Sequence, residues 1–460
     1  MMNQEKKSAK ALIPMLVFVL LYLLTGLVLQ LYGVEMAFYQ LPAPVAVFIG
    51  VIVAFIIFEG SVEEKTKIFI EGCGDSNIII MCLIYLLAGA FSTLAKASGG
   101  VESVVGLGLS IIPIRFLTAG VFLISSFLSL AIGSSVGAVT AIGPIAIGLS
   151  STSGINPSIM LGALIGGAMF GDNLSIISDT NIAATRTQNI DMKDKFKLNI
   201  KMALPSAIIT FFLYLFFAQP ESSPQIQSST YNIVDILPYI FVFVAAICGI
   251  NVLAVLTGGV LLSTLLLLFK TNFDLLNSCQ LIWEGFNGMF EIFLLSMFIG
   301  GLSHMVEKEG GINRIISKIE KSIKSKKSAE LGIISLVSIA DVAVANNTVA
   351  IIIAGPIAKN MCEEYEVDPR RSASLLDTFA CIFQGLIPYS AQILIAAGFS
   401  NGTVAPFEIM PFLWYQLVLL IFAIASIYIP YANPKGEWDY EKDMPKAKIS
   451  SKRNFQASNL

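Results

Sequence analysis

The chain has 460 residues, 55% of them hydrophobic and 13% charged, with a formal net charge of −3. A soluble domain carries about 25% charged residues, so this composition excludes an ordinary soluble fold, and the slight net acidity excludes a nucleic-acid partner. The six cysteines (Cys73, Cys82, Cys248, Cys279, Cys362 and Cys381) are scattered without C-x-x-C or zinc-ligand spacing and read as small core hydrophobes.

In chain order, the N-terminal "MMNQEKKSAKALIPMLVFVLLYLLTGLVLQLYG" joins basic residues to an apolar stretch longer than that of a signal peptide. It lacks a small-residue cleavage site, which predicts an uncleaved first span. Apolar runs then recur at 42–58, 76–95, 118–133, 136–150, 157–185, 202–218, 232–248, 251–269, 288–305, 329–343, 346–360, 372–398 and 409–431. A bilayer crossing needs roughly 20 apolar residues. The pattern therefore predicts an all-α polytopic membrane protein with about 11–14 membrane segments. Gly, Pro, Asn and Ser within 136–185 and 346–398 predict interrupted helices there.

With the N-terminus placed inside, 26 of the 29 Lys and Arg residues fall in the inner segments, leaving only Lys96, Arg115 and Lys270 outside. This asymmetry predicts cytoplasmic N- and C-termini. An internal repeat is also present. "GPIA" occurs at Gly143–Ala146 and at Gly355–Ala358, an offset of 212 that also pairs Gly89 with Gly301, Pro157 with Pro369, Ala168 with Ala380 and Ser178 with Ser390. Seven predicted crossings separate the paired segments, and that odd number reverses their direction. The expected architecture is an inverted-topology repeat. N-terminal membrane helices (1–75) precede a first repeat (76–218), connecting helices (219–287), a second repeat (288–431) and a cytoplasmic tail (432–460).

The polar residues of this apolar chain gather in three places. Segment 157–185 is longer than one crossing needs and carries Asp172, Asn173, Ser175, Ser178, Asp179 and Thr180. Asp172 falls deep in the segment, where an acid is costly unless paired or bound to a cation. Carboxylate, amide, hydroxyl and freed carbonyl oxygens suit a hard cation, and an unwound turn at Gly171–Ser175 would free the carbonyls. Asp172 and Asp179 are the expected sodium ligands, although Asp179 or Thr180 equally suits a helix cap. In the second half, "DVAVANNTVAIIIAGP" offers Asp341, Asn346, Asn347 and Thr348, while "LLDTFACIFQGLIPYSAQ" offers Asp377 and Gln384. Gln384 stands opposite Asp172 in the repeat register. Asn346 and Thr348 are expected to share the ion held by Asp172, with a turn between helices as the other reading. Asp377 suits either the site or a cytoplasmic vestibule. "GSSVG" at 133–137 matches a hydrolase G-x-S-x-G, yet that motif needs a strand-to-helix turn. His304 is the only histidine and makes no metal site. No Walker A sequence occurs, which excludes ATP as the expected energy source.

The stretch "FGDNLSIISDTNIAATRTQNIDMKDKF" resembles the NhaC-type sodium/proton antiporter family. The shared phrase G-D-x-x-S-x-x-S-D-T stands here as Gly171, Asp172, Ser175, Ser178, Asp179 and Thr180, and "NNTVAIIIAGPIA" is similar as well. Asn181-Ile182 departs from the second threonine of many relatives. The resemblance implies a secondary active transporter of the cell membrane and not an enzyme, with sodium and protons as cargo and no cofactor. Its partners would be those two ions and the lipid bilayer, and the family pattern allows a homodimer. The alternative it leaves open is a sodium- or proton-coupled carrier of a small organic anion or amino acid.

Overall fold

Inside a bilayer no water satisfies the backbone, so each apolar run must close its hydrogen bonds internally as a helix. The computed structural model describes residues 10–434 except 33, 35–39, 177, 221–231, 249, 271–273, 312–318 and 320–322, and beyond them Gly436 and Trp438. Among the described residues the regular structure is entirely helical. The first half contains α1 (Ile13–Leu31), α2 (Ala43–Ile57), α3 (Val62–Cys73), α4 (Ser76–Ala97), α5 (Gly100–Ile111), α6 (Leu117–Ile132), α7 (Ser135–Ser153), α8 (Pro157–Leu174), α9 (Asp179–Gln188) and α10 (Met192–Phe217). The second contains α11 (Ile233–Ile247), α12 (Val252–Leu268), α13 (Leu275–Gly288), α14 (Phe290–Lys308), α15 (Lys326–Val344), α16 (Asn347–Tyr365), α17 (Pro369–Leu386), α18 (Ala391–Phe399), α19 (Pro406–Ile409) and α20 (Trp414–Tyr428).

The protein is a multi-pass membrane protein. Seven of the described helices are long and apolar enough to cross a membrane, or eight if the pair Pro406–Phe412 and Trp414–Tyr428, bent by 53°, is one span. That is fewer than the 11–14 segments expected. Several apolar runs fold as helices too short to count, among them Ala43–Ile57 and Val252–Leu268.

The 212-residue offset reappears in the helix boundaries. α7 and α16, α8 and α17, and α9 and α18 each begin 212 residues apart, and the first two pairs also end so. Their caps correspond as well. Ser134 and Asn346 each accept an amide at the start of α7 and α16, and Asn156 and Asp368 do so for α8 and α17. Packing partners are exchanged between the halves: α4 packs on α13 and α14 on α3; α9 packs on α16 and α18 on α7; α10 packs on α17 and α20 on α8. Such an exchange is what a two-fold relation produces.

Small residues set the closest approach. A Cβ on Gly167 would overlap the Phe122 carbonyl, and one on Gly171 the Ser126 carbonyl. The "GGAMFG" run thus lets α8 lie directly on the backbone of α6, as small residues do between membrane helices.

The repeat also exposes a strained position. The turn after α7 uses Gly154 at φ 72°, whereas the matching turn after α16 uses Glu366 at φ 55°. A left-handed non-glycine residue costs roughly 1–2 kcal/mol. Replacing Glu366→Gly should therefore stabilise the detergent-purified protein by about 1 kcal/mol, while Glu366→Ala, which removes the charge but keeps Cβ, should not. Thermal unfolding of the two variants side by side checks this, and equal melting temperatures would reject strain at Glu366.

Candidate functional site

The site forms where α8 stops and α9 starts. The expected unwinding at Gly171–Ser175 lies later in the chain: α8 continues through Leu174, with Ser175 as its C-cap, and α9 begins at Asp179, with Ser178 as its N-cap. Gly171 is held helical because it is packed against α6. Two of the carbonyls at the break are claimed by one side chain, since the Asn181 amide donates to Asp172 O at 2.8 Å and to Ser175 O at 2.7 Å, while Asn173 O accepts from Lys195 Nζ at 3.3 Å. Ser175 Oγ donates to Leu130 O at 2.9 Å, fastening the break to α6.

Asp172 is buried at the last turn of α8 and receives hydroxyls on both oxygens. Ser135 Oγ donates to Oδ2 at 2.7 Å and Ser178 Oγ to Oδ1 at 2.6 Å, while Ser178 and Thr180 hydroxyls lie 2.8 Å apart. The second half reaches this acid through amides. Gln384 Nε2 donates to Gln392 Oε1 at 3.2 Å, and Gln392 Nε2 donates to Ser135 Oγ at 3.0 Å. Every bond in this relay is directed towards the carboxylate, as an acceptor-only group requires. Sequence reasoning placed Gln384 here but left Ser135 and Gln392 out. The signal for Ser135 was its register with Asn347, and Gln392 sits beside the second break, at 387–390.

Asp377 forms a second cluster across the same interface. Its Oδ2 accepts from Lys195 Nζ at 2.6 Å, Asn173 Nδ2 at 2.8 Å and Asn199 Nδ2 at 2.8 Å. Asn199 Oδ1 in turn accepts from Ser374 Oγ at 2.6 Å. Lys195 and Asp377 have side chains only 2% and 0% exposed, so this ion pair is wholly buried. The structure resolves the two readings of Asp377 in favour of the interior. Lys195 and Asn199 escaped the sequence reading because Lys195 sits among basic residues that look like an inner loop. Their spacing of four places both on one face of α10, while Lys193 and Lys197 are exposed.

The remaining candidates lie elsewhere. Asp179 is exposed, and its Oδ2 accepts from Thr348 Oγ1 at 2.9 Å. The expected sharing of one ion between Asp172, Asn346 and Thr348 is not what the side chains do here. Asn346 Oδ1 caps α16 by accepting from Val349 N at 3.0 Å, and Asn347 Oδ1 accepts from Thr348 N at 3.0 Å. The turn reading of Asn346 is the one the geometry matches. Asp341 is completely buried near the end of α15. Asp377 is likewise completely buried, on α17.

A model of the Na+/H+ antiporter family matches residues 6–219 and 223–430. The chain belongs to the Na+/H+ antiporter family. It is 23% identical over 427 residues to the malate-2H(+)/Na(+)-lactate antiporter of Bacillus subtilis, covering 85% of this chain and 90% of that one. It is 25% identical over 395 residues to the Na(+)/H(+) antiporter NhaC of the same organism, covering 78% and 84%. The arginine/ornithine antiporter ArcD of Halobacterium salinarum is 23% identical over 359 residues, covering 69% and 72%. Among solved structures, the YdaH transporter of Alcanivorax borkumensis aligns with a TM-score of 0.40 at 12% identity, covering 81% and 90%. Membership makes the chain a transporter of antiporter type.

The buried pair makes a stability prediction. Asp377→Asn leaves the Lys195 charge unpaired and should destabilise the protein by about 3–5 kcal/mol. The double variant Lys195→Met with Asp377→Leu removes both charges and should recover most of that loss. Thermal unfolding of the single and double variants in one detergent measures the coupling, and a double variant as unstable as the single would reject it.

Proposed function

We propose that the protein exchanges cytoplasmic sodium for external protons across the cell membrane. The observation that carries this reading is Asp172, a buried carboxylate whose two oxygens, among the described residues, are held by the hydroxyls of Ser135 and Ser178. A hydroxyl both donates and accepts. The charged acid takes two hydroxyl donors and has lone pairs left for a sodium ion; the protonated acid becomes a donor, and one hydroxyl turns to accept. The same two serines therefore serve both forms without leaving a buried group unpaired. Sodium and a proton competing for one acid is sufficient to couple opposite fluxes.

The orientation belongs to the same reading. The Lys and Arg asymmetry supports cytoplasmic termini, and the exchange of packing partners at an offset of 212 supports two repeats of opposite sense, rocking about a fixed midplane site. The alternative, a sodium- or proton-coupled carrier of a small organic anion or amino acid, is favoured by the names of two relatives, the malate-2H(+)/Na(+)-lactate and arginine/ornithine antiporters.

Everted vesicles carrying a proton gradient separate these readings. Sodium alone should collapse the gradient, whereas a carrier would require an added organic solute. Asp172→Asn should abolish the sodium response at normal expression. Ser178→Ala should lower apparent sodium affinity roughly tenfold, because a lost neutral partner costs about 1–3 kcal/mol. A normal response by Asp172→Asn would remove Asp172 from the cycle.

Topology has its own test in a cysteine-free chain. Ser153, the expected outer position, is buried, so its exposed neighbour takes its place: Ser151→Cys should react with an impermeant thiol reagent only from outside and Ser325→Cys only from the cytoplasm; the third position, Ser222, lies outside the described residues. Labelling of both from one face would reject the opposed repeats.

A further inference from the structure

Asp341 is an acid of the polar core that neither the sodium/proton reading nor the Lys195–Asp377 ion pair uses. It is completely buried, and neither carboxylate oxygen has a hydrogen-bond partner among the described residues, although the Gln384 backbone lies close by. Gln384 Oε1, also buried, is without a partner as well. Unused acceptor oxygens on Asp341 and on Gln384, whose backbone lies beside that acid, are costly at this depth and suit a cation.

The surroundings of Asp341 have an order of their own. A cavity of about 290 Å³ lies at the start of α14, lined by Glu291, Tyr22, Pro388, Tyr389 and Asn401. A second, of about 90 Å³, lies at the end of α14, lined by Asp75, Ser303, His304, Glu307, Val344 and Asn346. The last turn of α15 separates them. On one side the Tyr389 hydroxyl donates to Val342 O at 2.7 Å; on the other Ser303 Oγ donates to Ala343 O at 2.6 Å. Asp341 thus stands between two cavities at opposite ends of one helix. Each cavity has acidic residues in its wall and neither has a lysine or arginine, which favours cations over anions. The backbone beside Asp341 is strained as well: Ala345, whose carbonyl accepts from Gln384 Nε2 at 3.3 Å, is held at φ 52°. Strain of this kind collects where a structure switches or binds.

The repeat explains why the second half needs a separate acid. Gln384 occupies the register of Asp172 and is neutral, while Asp341 occupies that of Ser129. Asp377 being locked to Lys195, the second half's carboxylate without a lysine partner is supplied from a different helix, α15.

We propose that Asp341, with Gln384 Oε1, is a second sodium site separate from Asp172, reached along α14 through the two cavities, with the Tyr389 ring between the larger cavity and the site. The proposal rests on sodium being the transported ion. Each half then contributes one acid to ion binding, and a transport cycle carries two sodium sites rather than one.

Equilibrium binding of radioactive sodium to the purified full-length chain tests it, with folding of each variant checked by thermal unfolding. Asp341→Asn should lower bound sodium at saturation to about half, because one of two sites is lost; Asp172→Asn should do likewise, and the double variant should bind none. Asp341→Glu should restore part of the missing capacity, which a purely structural role would not. Unchanged capacity in Asp341→Asn, with loss in Asp172→Asn, overturns the second site and leaves the sodium/proton reading standing. A wild type that binds no sodium overturns both. For the route, Glu291→Cys and Ser303→Cys in a cysteine-free chain should react with a cationic thiol reagent from opposite faces of the membrane, at least tenfold faster than with an anionic one; equal rates or reaction from one face overturn it.

Discussion

A helix broken inside a membrane protein leaves carbonyl groups that neither water nor lipid can satisfy. The structure depends on how that demand is met where α8 ends and α9 begins. Asn181 reaches back to two of the carbonyls at this break, Asp172 O and Ser175 O, in place of water. Asp172 is then free of backbone duty and meets only hydroxyls. The break is also the reason the two halves touch here. Helix ends bring polar groups, polar groups need partners, and Ser135 finds one in Gln392 of the second half.

The three buried acids solve one problem in different ways. Asp172 is satisfied by neutral hydroxyls, Asp377 by a lysine and two amides, and Asp341 by no hydrogen bond among the described residues. An acid locked to a lysine with three donors on one oxygen is a strut between halves, since releasing it would strand a charge. An acid held by hydroxyls can change its protonation with little rearrangement. An acid without partners stores the cost of its burial until something binds. Position in the repeat does not dictate these roles, because the halves have diverged: Asp172 faces Gln384 in register, and Gly154 faces Glu366.

Much of this architecture was legible beforehand. The apolar runs, the offset of 212 and the polar stretch from Gly171 to Thr180 are local signals, and each survives as helices, matched boundaries and a break. Residues that act through distant contacts were not legible. Lys195 reads as one more inner-loop charge until α10 folds and turns one face of four-residue spacing towards Asp377. Asn346 and Thr348 read as ion ligands because they are polar in an apolar run, yet one caps a helix and the other bonds to an exposed acid.

Composition and periodicity, then, determined by themselves that the chain is helical, spans a membrane and repeats, because burial of apolar surface and closure of backbone hydrogen bonds act within a single segment. Motif chemistry determined that oxygen-rich residues gather near Asp172. Only the tertiary structure decided which oxygens face which acid. That choice depends on how α8 lies on α6 through Gly167 and Gly171, and on how the second half delivers Gln384 and Gln392. Partners more than 200 residues apart leave no trace in local sequence, and their meeting is a property of packing alone.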